Sequence, residues 1–306
     1  YRAAGIDYLR QGELDAAETA FKERLRLDSK HTDSMLGLAD VNFRRGRMQE
    51  AERSLREALA VAPERVEVQM AWGRYLVWQK KFDEAITAYR QAIALDSKHA
   101  GARYGLGLAL AATGDLTAAK TELQEAIHLA PTNPYPFEAL GRLYAVHREY
   151  ERALEAFATA IAIQPRFIPA YSDRGDVYVA MGRDDLAMAE YKTALGVAPK
   201  FAEAHVKIGM MHQRHGRFDE ARTSYMEAIA LNPTLAIAYN NLAWMAAERK
   251  QELKDAVAWA KKAVELMPQA VQFHDTLGWV HRAQGRLDEA ASVLERASTM
   301  HPAADI

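Results

Sequence analysis

The chain of 306 residues contains no cysteine. That excludes disulfides, thiolate metal sites and cysteine nucleophiles. It does not fix the compartment, because a chain without thiols suits reducing and oxidising surroundings alike. No apolar run approaches the ~20 residues that a membrane-spanning helix needs, so direct membrane insertion is not expected. Neither sign of charge prevails: 39 Lys and Arg stand against 41 Asp and Glu, for a formal net charge of −2. The basic footprint that nucleic acid or an anionic membrane requires is missing, and the expected partner is a protein or peptide. Also missing are a Gly-rich phosphate loop, a serine nucleophile elbow and a zinc-protease helix. No acid, base and nucleophile fall into one shielded pocket, so this segment is expected to be non-enzymatic and to need no cofactor. The first residue is Tyr1 and no signal peptide is visible, which points to a fragment or a processed form.

What the chain does have is regularity. Its 306 residues are nine times 34, and repeats of that length are the first thing to test for. Small residues recur at Gly5, Ala39, Gly73, Gly107, Gly141, Gly175, Gly209, Ala243 and, after one inserted residue, Gly278. An alanine series twelve residues further on runs from Ala17 through Ala153 to Ala290, and a third from Ala58 to Ala297, with Arg24 in its first slot. Prolines close the unit at Pro63, Pro131, Pro165, Pro199, Pro233, Pro268 and Pro302, with Ser29 and Ser97 in the other slots.

Each unit reads as two helices. In the first, apolar and small residues fall at i, i+3, i+4 and i+7, as in Phe137, Leu140, Gly141 and Tyr144. A turn glycine follows at Gly12, Gly46, Gly114, Gly182, Gly216 and Gly285, where a helix C-terminus favours a left-handed residue. The second helix opens with acidic or polar residues such as Asp83-Glu84 and Asp219-Glu220, suited to the positive end of the helix dipole. It carries an aromatic or leucine at Phe21, Leu55, Tyr89, Leu123, Phe157, Tyr191 and Tyr225, and proline stops it.

The pattern of small residue, turn glycine, alanine, aromatic, alanine and proline at a period of 34 resembles the tetratricopeptide repeat (TPR) family over essentially the whole chain. The resemblance implies an all-α fold, a right-handed superhelical solenoid of nine helix-turn-helix repeats whose first helices line a concave groove. One array over 1–306 is expected, with repeats at 1–31, 32–65, 66–99, 100–133, 134–167, 168–201, 202–235, 236–270 and 271–306. The departures are few. Lys80 and Arg148 replace the turn glycine, and Ala260 replaces the aromatic with Trp259 beside it. A lone hairpin cannot bury its apolar face, so stacking supplies the core.

With the Gly/Ala series at position 8, positions 2, 5, 6, 9, 12 and 13 point away from the core stripe. The third and fourth units place Met70, Val77, Trp78, Tyr104 and Leu108 there; the last two place Trp244 and Trp279, both at position 9. Between them stands a polar middle of Arg142, Asp173, Asp176, Lys207, Gln213 and Asn241. The aromatics read either as packing against the next unit or as a recognition surface, Trp78, Trp244 and Trp279 favouring the second. The polar middle reads either as a solvated face or as part of that surface. Trp78, Arg142, Asp173, Asp176, Lys207, Gln213, Asn241, Trp244 and Trp279 are therefore the candidate ligand-binding residues, for an extended or helical peptide.

The family's chaperone-binding clamp needs lysine at position 5, which here carries Met70, Tyr104, Glu138, Ser172 and Val206, so chaperone tails are not expected ligands. The asparagine ladder of the family's sugar-transferase branch is represented by Asn241 alone. Asn240–Trp244 and Asp275–Trp279 look like terminal repeats of bacterial envelope and exopolysaccharide-export TPR proteins. The expected function is a protein-interaction scaffold, with a recruiting segment of a larger enzyme or envelope machine as the alternative. A capping helix is not visible after Pro302, so self-association through the terminal repeats is expected. His205, His212 and His215 form the one histidine group; His205 lies ~10.5 Å along the helix from His212. No acidic partner is evident for them, and half-buried packing rather than metal binding is expected.

Overall fold

The computed structural model describes residues 2–300, and Pro302, the last of the proline series, lies outside them. The described residues form eighteen helices and no strand. They fall into two compact units, the chain dividing between Ile163 and Gln164. The first unit holds the hairpins α1 (Arg2–Gln11) with α2 (Leu14–Leu27), α3 (Thr32–Arg44) with α4 (Met48–Val61), and α5 (Val66–Trp78) with α6 (Phe82–Leu95). It ends with α7 (Ala100–Thr113) and α8 (Leu116–Leu129), then α9 (Pro134–Val146) and α10 (Tyr150–Ile163). The second unit holds α11 (Ile168–Ala180) with α12 (Asp184–Val197), and α13 (Ala202–Arg214) with α14 (Phe218–Leu231). Its last hairpins are α15 (Ala236–Arg249) with α16 (Leu253–Leu266), and α17 (Val271–Ala283) with α18 (Leu287–Met300).

The hairpins close as the register requires. A methyl group on Gly175 would stand 2.4 Å from the Tyr191 ring, and one on Gly141 2.7 Å from the Phe157 ring. Position 8 is small because the residue sixteen places later lies flat against its backbone, and that aromatic is buried in turn: Phe157 and Tyr225 are fully enclosed. In the eighth repeat Ala260 leaves room that Trp259 fills, packing against core clusters on both sides. The turn residue adopts positive φ whatever its type. Gly46 has φ 73°, and Lys80 and Arg148, standing in for glycine, both have φ 60°. The amide of Lys81 then bonds the Leu76 carbonyl at 2.9 Å, as the amide of Arg47 bonds that of Asn42 at 2.8 Å. The hydrogen-bond pattern of the turn outweighs a left-handed penalty of about 1–2 kcal/mol.

Candidate functional site

In the first unit, Trp78 ends α5 with 47% of its surface exposed. Its ring stacks on Tyr75 at 6.2 Å and meets the edge of Phe43 from α3 at 5.6 Å. Tyr75 stacks in turn on Trp72 at 5.5 Å, so three rings spaced i, i+3 and i+6 form one strip across α5. The strip is fixed by polar contacts. The Tyr75 hydroxyl donates to Glu52 Oε2 at 2.9 Å and accepts from the Gln79 amide. Burial and the Glu52 carboxylate push the Tyr75 hydroxyl up to about 12, while the same hydrogen bond holds Glu52 below the usual carboxylate value. A cavity of about 540 Å³ opens beside the strip, lined by Leu36, Asp40, Phe43, Leu55, Arg74 and Tyr75. Met70, Val77 and Tyr104 are half-buried, whereas Leu108 is exposed. Arg142 on α9 extends into solvent and pairs with Glu138 Oε1 at 2.7 Å.

In the second unit the polar candidates are held by the core. Asp176 on α11 accepts a hydrogen bond from the Tyr191 hydroxyl at 2.7 Å and pairs with Lys207 of α13. The Lys207 ammonium also lies 5.6 Å from the centre of the Tyr191 ring. Asp173, three residues earlier on α11, adds to the negative field that, after burial itself and the Asp176 contact, raises the Tyr191 hydroxyl far above its ordinary value. One repeat on, the Tyr225 hydroxyl donates to Gln213 Oε1 at 2.8 Å and accepts from Asn241 Nδ2 at 3.4 Å. The phenol oxygens of two core rings thus reach the face of the first helices and orient three of the six polar candidates, Asp176, Gln213 and Asn241, with Lys207 held in turn by Asp176. Buried hydroxyls need such partners.

Two adjoining cavities lie on that face. The larger, about 630 Å³, is walled by Val179, Val206, Met210, Met211, Leu235 and Ile237, with Asp176, Lys207, Glu203 and Arg214 around it. The smaller, about 530 Å³, is lined by Gln213, Phe218, Tyr225, Asn240, Asn241, Trp244 and Glu248. Met210 and Arg214 line both. Trp279 on α17 is 43% exposed, with the Arg282 guanidinium 5.5 Å from its ring centre, and lines neither cavity. Glu203 and Ile237 at position 2 and Met210 at position 9 line the larger cavity although they are not among the residues expected from the sequence. Their register positions were the available signal.

The histidines differ from expectation in one respect. His205 and His212 are half-buried, but acidic partners do exist: His205 Nδ1 stands 2.9 Å from Glu227, and His215 Nε2 3.1 Å from Asp184. Both partners come from other helices, where sequence spacing does not show them. Burial lowers the His212 pKa. Among the described residues no group of three or more His, Asp or Glu is placed to hold a metal ion. No described helix is long and apolar enough to cross a membrane.

A sequence model described as tetratricopeptide repeat matches residues 2–65, 70–134 and 206–271; related TPR repeat models match 175–216 and 271–296. No curated protein matches. Among solved structures the chain is similar to the human IFIT1 dimer with m7Gppp-AAAA, at 18% identity and TM-score 0.65, over 95% of this chain and 68% of that one. It is similar to a tetratricopeptide repeat protein from Parabacteroides merdae at 19% identity and TM-score 0.63, over 74% and 90%. It is also similar to Pseudomonas aeruginosa pilF at 15% identity and TM-score 0.56, over 68% and 94%. At these identities the likeness speaks for the fold.

Proposed function

The chain belongs to the tetratricopeptide repeat family, and from that premise we propose that it is a non-catalytic scaffold binding a peptide or protein segment along its first helices. Repeats of this kind form a scaffold suited to protein interaction, and their side chains decide what is bound. The observation that carries the reading is the exposure of three tryptophans on first helices: Trp78 at 47%, Trp244 at 39% and Trp279 at 43%. Tryptophan gives up much apolar surface when covered and is enriched where partners bind most tightly. The polar candidates Arg142, Asp173, Asp176, Lys207, Gln213 and Asn241 supply orientation in this reading, and the tryptophans supply anchorage. The test is affinity capture from native lysate, followed by titration of the captured partner against Trp78→Ala, Trp244→Ala and Trp279→Ala. Loss of one anchoring ring is expected to weaken binding by about tenfold or more. Unchanged affinity in all three variants rejects the assignment.

A further inference from the structure

The twin cavities of the second unit carry an asymmetry of charge. Their cations are already engaged: Lys207 pairs with Asp176, and Arg214 Nη1 lies 3.2 Å from Asp184. Their carboxylates Glu203 and Glu248 are exposed and have no partner among the described residues. Glu203 stands by the larger, apolar cavity and Glu248 by the smaller one that holds Trp244. The walls therefore call for bulky apolar groups, and the only unmet charge beside them is negative.

From this we infer that the second unit binds a basic, apolar peptide segment: one bulky apolar side chain in each cavity, on either side of Met210, with Lys or Arg set against Glu203 and Glu248. The inference rests on the groove reading above and narrows it to one partner chemistry. Exposed ion pairs add little affinity each but select sign strongly, because a like charge in the same place is repelled. The same two carboxylates disfavour a phosphate backbone, which is held by cations. Apolar side chains in cavities of this size supply the binding free energy, and the flanking charges set which peptide is accepted.

Phage display of random 12-residue peptides on the whole chain tests it, with a Glu203→Lys/Glu248→Lys chain panned in parallel. Both positions are exposed, and circular dichroism checks that the double variant keeps its helices. Peptides enriched on the parent are expected to carry Lys or Arg beside two bulky apolar residues. They should bind the double variant about tenfold or more weakly, and the variant should enrich acidic-flanked peptides instead. Raising salt should weaken the parent complex, and Met210→Asp should weaken it at any salt. A Glu203→Gln/Glu248→Gln chain should lose the preference for basic flanks without gaining one for acidic flanks. Peptides that bind the parent with no basic bias, or equally well to the charge-reversed chain, overturn this inference and leave the general groove reading standing. No enrichment on either chain overturns both. A single-stranded RNA probe that displaces the selected peptide also overturns it, in favour of a different ligand class.

Discussion

The two units use the same ring position for different ends. In the first, position 24 is filled by Phe21, Leu55, Leu123 and Phe157, which end in carbon, and by Tyr89, whose hydroxyl burial raises to about 12. The exposed face there is shaped by its own aromatics, the Trp72–Tyr75–Trp78 strip with Phe43. In the second, Tyr191 and Tyr225 pass a hydroxyl through the core to Asp176, Gln213 and Asn241. One repeat architecture thus offers a face built from stacked rings, anchored in the core at Tyr75, and a face whose polar side chains are held by core hydroxyls.

Removing the rings is the harshest way to break that comparison. Tyr225→Ala and Phe157→Ala should each cost about 3–5 kcal/mol in denaturant unfolding, since both sites are fully enclosed. A smaller loss separates fit from size. Gly175→Ala, whose added methyl falls 2.4 Å from the Tyr191 ring, should cost about 1–3 kcal/mol by overpacking. Tyr191→Phe sharpens the contrast directly. It should cost about 1 kcal/mol through one lost hydrogen bond and should weaken peptide binding to the second unit. Leu123→Met in the first unit, which carries no such hydroxyl, should leave binding unchanged within error.

The pH response should separate the units as well. Burial lowers the pKa of His212 and His281 in the second unit from 6.5, so below that value the unfolded chain takes up protons that the folded chain refuses. Stability is full above about pH 6.5 and falls as the pH drops through it. In the first unit Glu18, Glu52 and Glu149 are lowered from 4.5 by hydrogen bonds from Lys22, Tyr75 and Arg152, so their contribution survives to about pH 4.5 and is lost below. Thermal melts from pH 7.5 to 5.5 should fall for the parent and fall less for His212→Gln/His281→Gln. Equal falls would remove this contrast. The mildest test is Trp78→Ala, which should change stability by less than about 1 kcal/mol because nearly half of the ring is already in water.

The repeat units and their register were legible in the sequence because steric demands recur: the close approach of Gly175 and Tyr191 is repeated at Gly73 and Tyr89, Gly141 and Phe157, and Gly209 and Tyr225. Even the exceptions followed, as Lys80 and Arg148 take the backbone angle that glycine takes elsewhere. The division at Ile163 and Gln164 was not legible, since the 34-residue spacing runs through it unbroken. Nor were the cavities, whose walls combine α11, α13 and α15 in proportions set by side-chain packing. The acid partners of His205 and His215 lie 22 and 31 residues away, far outside the three- and four-residue spacings that a helix makes visible.

The tyrosine hydroxyls have a consequence for how such a protein changes over generations. Phenylalanine and tyrosine differ by one oxygen and occupy the same enclosed site, as Phe157 and Tyr225 do here. Exchanging one for the other leaves every solvent-facing residue in place yet adds or withdraws the atom that holds Gln213 and Asn241 in position. A repeat in the second unit can therefore rearrange the polar side chains on its first helices, and with them the proposed binding preference, through a substitution that no inspection of its surface would reveal.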